Sequence, residues 1–155
     1  MVTIGGVGFG GTLCSRGDHV LPSLKPVSRY MSASPVVIQQ VAPLTEAIAL
    51  MQEHNVRHLP VLDGQTPVGI LSERDVAMAG SLVPDAWELI PVAEAMTPQP
   101  YMVSADTQVA KVAREMAEHR YGAALVTSET GALLGVFTTT DALGVLAACG
   151  ADDAS

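Results

Sequence analysis

Two short stretches carry the polar chemistry of this chain. Ser72-Glu73-Arg74-Asp75 follows the apolar run Gly69-Ile70-Leu71, and Thr138-Thr139-Thr140-Asp141 follows Gly135-Val136-Phe137. In each, a hydroxyl stands three places before an aspartate, where a strand pattern gives way to a helical one. Taken singly, either stretch is a capping box: the hydroxyl accepts from a first-turn N–H and the carboxylate reaches back to the N-cap N–H. The same corner suits a phosphorylated ligand. The first turn of a helix presents unpaired N–H groups and the positive end of the dipole; a hydroxyl there donates to phosphate, and an aspartate accepts from sugar hydroxyls. Both chemistries stay open, and the duplication weighs toward binding.

The duplication extends well beyond these corners. Pro26-Val27 and Pro91-Val92, Met31 and Met96, Pro35 and Pro100, Met51 and Met116, and Glu53-His54 and Glu118-His119 all stand 65 residues apart, and the register slips by one before Gly69 meets Gly135 and Asp75 meets Asp141. Each copy has the same order of elements. Val36-Val37-Ile38 reads as a first strand. Leu44, Ala47, Ile48 and Met51 mark one face of a helix entered through Pro43 and closed at His54-Asn55. Leu59 to Leu62 and Val68 to Leu71 are strands joined at the hairpin signal Asp63-Gly64, and a helix follows over 73–79. The second copy predicts a strand over 101–103, a helix through Val109, Val112, Ala113 and Met116, strands over 123–126 and 133–137, and a helix from Thr139. Residues 1–21 form a glycine-rich leader expected to be flexible, 22–80 the first repeat, 81–91 a linker whose Trp87 and Leu89 are expected to pack onto the domain, 92–148 the second repeat and 149–155 a tail. One repeat alone buries too little to be comfortably stable, so the two are expected to face each other through their sheets, with two equivalent clefts where they meet.

Composition narrows the partners. The 155 residues carry a net charge of −8 with only eight Lys and Arg, which argues against a nucleic-acid backbone as the main partner. No apolar run is long enough to span a membrane and no signal-peptide pattern opens the chain. Two cysteines, Cys14 and Cys149, give neither a zinc site nor a disulfide framework, and a cytoplasmic setting is expected.

The paired Gly-to-Asp motifs, with Val56-Arg57-His58-Leu59-Pro60-Val61 feeding the first, resemble the CBS domain (named for cystathionine beta-synthase), and the tandem copies resemble a Bateman module. The resemblance covers about residues 22–148. It implies an α+β fold of two βαββα repeats packed about a pseudo-twofold axis, with adenosine nucleotides held in the clefts between them. Carried over by position, one cleft combines Thr138, Thr140 and Asp141 with Ser34, Val36, Val56, Arg57, His58 and Pro60, where Arg57 and His58 would provide positive charge for phosphate. The opposite cleft combines Ser72, Arg74 and Asp75 with Gln99, Tyr101, Tyr121, Gly122 and Ala123. There Gly122-Ala123 stand in place of Arg57-His58 and Leu125 in place of Pro60, so phosphate charge rests on Arg74, with Arg120 near. On these residues the cleft closed by Asp141 is the better equipped.

Other candidates carry less. Gly6-Val7-Gly8-Phe9-Gly10-Gly11 formally matches a dinucleotide-binding loop, but neither the preceding strand nor the following helix is present in the pattern. His54 and His58 are separated by a break between helix and strand, which argues against a shared metal, and His54 and His119 suit helix C-termini. Met31, Met51, Met96 and Met116 read as core filler. No nucleophile stands in a catalytic set and the two aspartates fall in separate clefts, so no enzyme is expected. The expectation is a regulatory module that takes AMP, ADP or ATP, with S-adenosylmethionine also open, requires no cofactor, forms a homodimer and signals to an effector protein. The alternative is a structural or interaction module whose clefts have lost ligand.

Overall fold

The apolar patterns fold into eight strands and five helices within residues 25–151, which the computed structural model describes. The expected leader, with its Gly6-to-Gly11 stretch and Cys14, and the last four residues lie outside them. In chain order the elements are β1 (Ser32–Ala33), β2 (Ile38–Gln39), α1 (Leu44–His54), β3 (His58–Asp63), β4 (Thr66–Ser72), α2 (Glu73–Leu82), α3 (Val92–Ala95), β5 (Thr97–Pro98), β6 (Met102–Ser104), α4 (Val109–His119), β7 (Ala123–Thr127), β8 (Leu133–Thr138) and α5 (Thr139–Ala151).

The helical periodicities act as read. Leu44, Ala47 and Met51 are the buried face of α1, and Val109, Val112 and Met116 that of α4. Both helices end as one residue enters the left-handed region, Asn55 at φ 51° and Arg120 at φ 59°. The β3–β4 hairpin turns at Gly64, held by the Gln39 amide, which accepts from Gly64 N–H and donates to its carbonyl at 3.0 Å each. Two expectations need correction. The first strands of the repeats begin later than 36 and 101, at Ile38 and Met102, because each follows a left-handed residue and a proline that delay pairing. Trp87 packs against the first core, but Leu89 is 79% exposed. Both lie in a 3₁₀ turn, Trp87–Leu89, where residues two apart point in different directions and only one can face the core.

The repeats exchange their N-terminal segments. One sheet runs β2-β3-β4-β5 and the other β1-β8-β7-β6, so each repeat's opening strand lies antiparallel on the sheet of the other. Val92 is fully buried with Leu44, Ala47 and Leu59 of the first repeat, and Val27 with Val109, Val112 and Phe137 of the second. Burying a valine is worth about 1.5–3 kcal/mol. The same segments satisfy helix ends. Leu44 N–H donates to Ile90 O, and Val109 N–H to Lys25 O, both at 3.0 Å, at two helices that lack any side-chain cap. The return to the chain's own sheet is made at Ser34 and Gln99, 65 residues apart and both left-handed, at φ 50° and 52°.

The motif glycines are explained by this exchange. A Cβ on Gly69 would lie 2.9 Å from Thr97 O and inside the contact radius of Met96 Sδ; one on Gly135 would lie 2.7 Å from Ser32 O and against Met31 Sδ. Met31 and Met96 therefore fill core space, each over a glycine of the opposite repeat. Gly69→Ala or Gly135→Ala is expected to lower stability by about 1–3 kcal/mol through overpacking, seen as a fall in melting temperature. Gly80→Ala and Gly144→Ala, in helices with nothing within 4 Å, are expected to be neutral or to stabilise by up to about 1 kcal/mol.

Candidate functional site between the repeats

The strand-to-helix corners are built as two capping boxes. Ser72 N–H donates to Asp75 Oδ2 at 2.8 Å and Asp75 N–H to Ser72 Oγ at 3.1 Å. At the second corner, Thr138 N–H donates to Asp141 Oδ2 at 2.8 Å and Asp141 N–H reaches Thr138 Oγ1 at 3.5 Å. Here the copies differ. Thr138 Oγ1 also donates to Asp141 Oδ2, at 3.1 Å, so its proton is engaged inside the corner. Ser72 Oγ acts as acceptor in its box, which leaves the hydroxyl proton for an outside group.

An open cavity of about 1120 Å³ lies between the repeats. Ser72, Arg74 and Asp75 line it from the first repeat, and Gln99, Tyr101, Tyr121, Gly122 and Ala123 from the second, so all eight residues expected in that cleft converge on one space. Arg57 and His58, expected in the opposite cleft, line the same cavity. The reason is their place on the strand: His58 begins β3 directly opposite Ser72 in register, and Arg57 O accepts from Glu73 N–H at 2.9 Å. The other members of the opposite set do not line it. Val36 and Val56 pack against the first core, Pro60 is fully buried in β3, Ser34 is exposed, and Thr138, Thr140 and Asp141 stand at the second corner, whose neighbouring Thr139, Ala142 and Leu143 do border the cavity.

Aromatic side chains form one wall. Tyr101 and Tyr121 stack with centroids 5.1 Å apart, and His119 stacks on Tyr121 at 5.3 Å. Burial, reinforced by a hydrogen bond to Glu115, pushes the Tyr101 hydroxyl well above its ordinary value, so it stays a donor and is held in place. Ala113 and Ala117, four apart on α4, leave the floor open, and Arg120 at the end of α4 completes the rim. The helix residues were not singled out as site members from sequence; two alanines on one helical face were the only signal, and helical faces of that kind are common.

His58 sits against Gly122, whose added Cβ would come within 2.9 Å of His58 Nε2. Burial pushes its pKa below the ordinary 6.5, aided by Arg57 and opposed by Asp75. The imidazole therefore occupies the space that a side chain at 122 would need. Among the described residues, no cluster of three His, Cys, Asp or Glu could hold a metal ion, and no helix is long and apolar enough to cross a membrane.

Comparison with known proteins bears on the fold and the family. The chain is 30% identical over 145 residues to inosine-5'-monophosphate dehydrogenase of Korarchaeum cryptofilum, covering 91% of this chain but only 29% of that protein. A structure of CBSX2 in complex with AMP superposes with a TM-score of 0.69 at 24% identity, covering 80% of this chain and 97% of that one. The CBS domain pair of protein MJ0100, in complex with 5'-methylthioadenosine and S-adenosyl-L-methionine, gives a TM-score of 0.72 at 23% identity over 81% and 98% of the two chains. Residues 27–81 and 92–148 each match the CBS domain, and the chain belongs to the CBS domain family as a tandem pair.

Proposed function

We propose that this chain is a regulatory module that binds an adenine nucleotide between its repeats without transforming it. The observation that carries this is the convergence of the Ser72, Arg74 and Asp75 corner with Tyr101, Tyr121 and three guanidinium groups on one cavity. Asp75 would accept from the ribose hydroxyls, Ser72 and the first turn of α2 would donate to phosphate, and the tyrosine wall would pack against the base. Ser72, Arg74 and Asp75 line this cavity together with Arg57 and His58, which supports the Asp75 corner as the primary site, while Thr139, Ala142 and Leu143 of the second corner border the same space. Structural relatives solved with AMP, and with S-adenosyl-L-methionine and 5'-methylthioadenosine, support an adenosyl ligand.

Binding would be relayed by preference for one arrangement of the repeats, passed to an effector protein or to a change of oligomer. A homodimer is part of this proposal. Met78 and Leu82 on α2 and Leu143 and Leu146 on α5 are 59–75% exposed, and these repeat-equivalent helices would present a self-complementary apolar face to a second copy.

Calorimetric titration of the full chain with AMP and ATP tests the proposal, and absence of heat with both would refute it. Asp75→Asn retains an oxygen to accept the capping hydrogen bond but loses the carboxylate. It is expected to weaken nucleotide binding about tenfold or more, against a smaller loss for Asp141→Asn. His58 gives a pH signature. Above 6.5 it is neutral in folded and unfolded chains alike; as pH falls below 6.5 the unfolded chain takes up a proton that the folded chain resists, so ligand-free stability falls. A bound phosphate favours the imidazolium. Binding is expected to strengthen as pH drops from about 7.5 towards 6, with proton uptake measured in buffers of different ionisation enthalpy, and to lose that dependence in His58→Gln.

A further inference from the structure

We propose that the cavity prefers a nucleotide carrying two or more phosphates, and that Arg120 sets this preference; the inference rests on the nucleotide reading above. The chain has six arginines in a molecule of net charge −8, and three of them, Arg57, Arg74 and Arg120, line this one cavity with His58, against only Glu73 and Asp75. They approach from three separate places: the start of β3, the first turn of α2 and the C-terminal end of α4. One terminal phosphate satisfies one or two guanidinium forks, whereas cations spread around an open cavity match a phosphate chain. The same charge disfavours a ligand that carries a sulfonium.

Arg120 carries a backbone signature of its own. It holds φ at 59°, in the left-handed region where the first repeat places Asn55 at φ 51°. Asparagine tolerates that conformation, and a long side chain does so at a cost. The repeats also place their charge differently. Arg57 stands at the entrance to β3, whereas its counterpart is Gly122, where an added Cβ would meet the tip of the His58 imidazole at 2.9 Å. The second repeat carries its cation two residues earlier, at Arg120, where the end of α4 brings it to the cavity rim. A charged side chain thus stands at a position whose backbone conformation disfavours it, at the edge of the cavity.

The test is calorimetry of the full chain in magnesium-free buffer at low salt, with adenosine, AMP, ADP, ATP and S-adenosylmethionine, on the native protein and on Arg120→Asn. Affinity is expected to rise with phosphate number, with ATP about tenfold or more tighter than AMP. Arg120→Asn should lose about tenfold for ATP, leave adenosine unchanged, and raise the ligand-free melting temperature by relieving the left-handed arginine. Inorganic tripolyphosphate should compete with ATP in the native protein and less in the variant. Equal affinity for AMP and ATP, or equal losses for adenosine and ATP in Arg120→Asn, would overturn this inference while leaving the nucleotide reading intact. No binding of any adenosine compound would overturn both.

Discussion

The first N–H of each long apolar helix is satisfied from the opposite repeat, by Ile90 O at α1 and Lys25 O at α4. These two hydrogen bonds fix where the exchanged segments lie, and much else follows from that placement. Val92 and Val27 then drop into the opposite cores, and the short strands β5 and β1 reach the edges of the opposite sheets. Met96 and Met31 settle over Gly69 and Gly135. Only with the segments so placed does the chain swing back at Gln99 into the wall of the cavity that Ser72 and Asp75 close. A buried helix end without a partner is costly, and neither Pro43 nor Gln108 provides a side-chain cap. The hydrogen bond that stabilises the helix and the contact that assembles the cleft are therefore the same contact.

The backbone is close to symmetric and the chemistry is not. Both corners are capping boxes, both long helices end left-handed, and both sheets have the same order of strands. Yet His58 packs on Gly122, Thr138 turns its hydroxyl proton inward onto Asp141, and the tyrosine stack exists on one side of the pair. Each difference moves polar or aromatic surface towards the cavity bordered by Asp75. The two repeats share a frame, which packing enforces, and differ in the side chains they turn towards the cleft.

Much of the frame was legible in the sequence because it rests on local rules. The apolar spacing of Leu44, Ala47 and Met51, the Asp63-Gly64 turn and the 65-residue echo each depend on neighbours in the chain. What was not legible depends on tertiary partners. Ser32-Ala33 and Thr97-Pro98 are short and exposed, with no alternation to mark them as strands, and only the opposite sheet makes them so. The residues expected around the Asp75 cleft line one cavity, and Arg57 and His58, expected with Asp141, line it too, as do Thr139, Ala142 and Leu143 beside Asp141. Which part of a cavity shared by two repeats a strand-end residue borders depends on how the repeats pack, and sequence order does not carry that. The sequence marks Arg120 only as a nearby charge, because its left-handed φ of 59° is set by the fold.

The exchange of segments has a further consequence for how such a module can be inherited. A cut in the connection around Asp85 would leave the first half without Val92 to fill its core, and the second without Val27. The boundaries at which the sequence repeats are thus not boundaries at which the material can be divided. Recombination that moved one repeat alone would deliver a core with a hole in it, whereas moving the pair delivers two finished cores and the cleft between them. The heritable unit is the pair, even though the pattern visible in the residues is the single repeat.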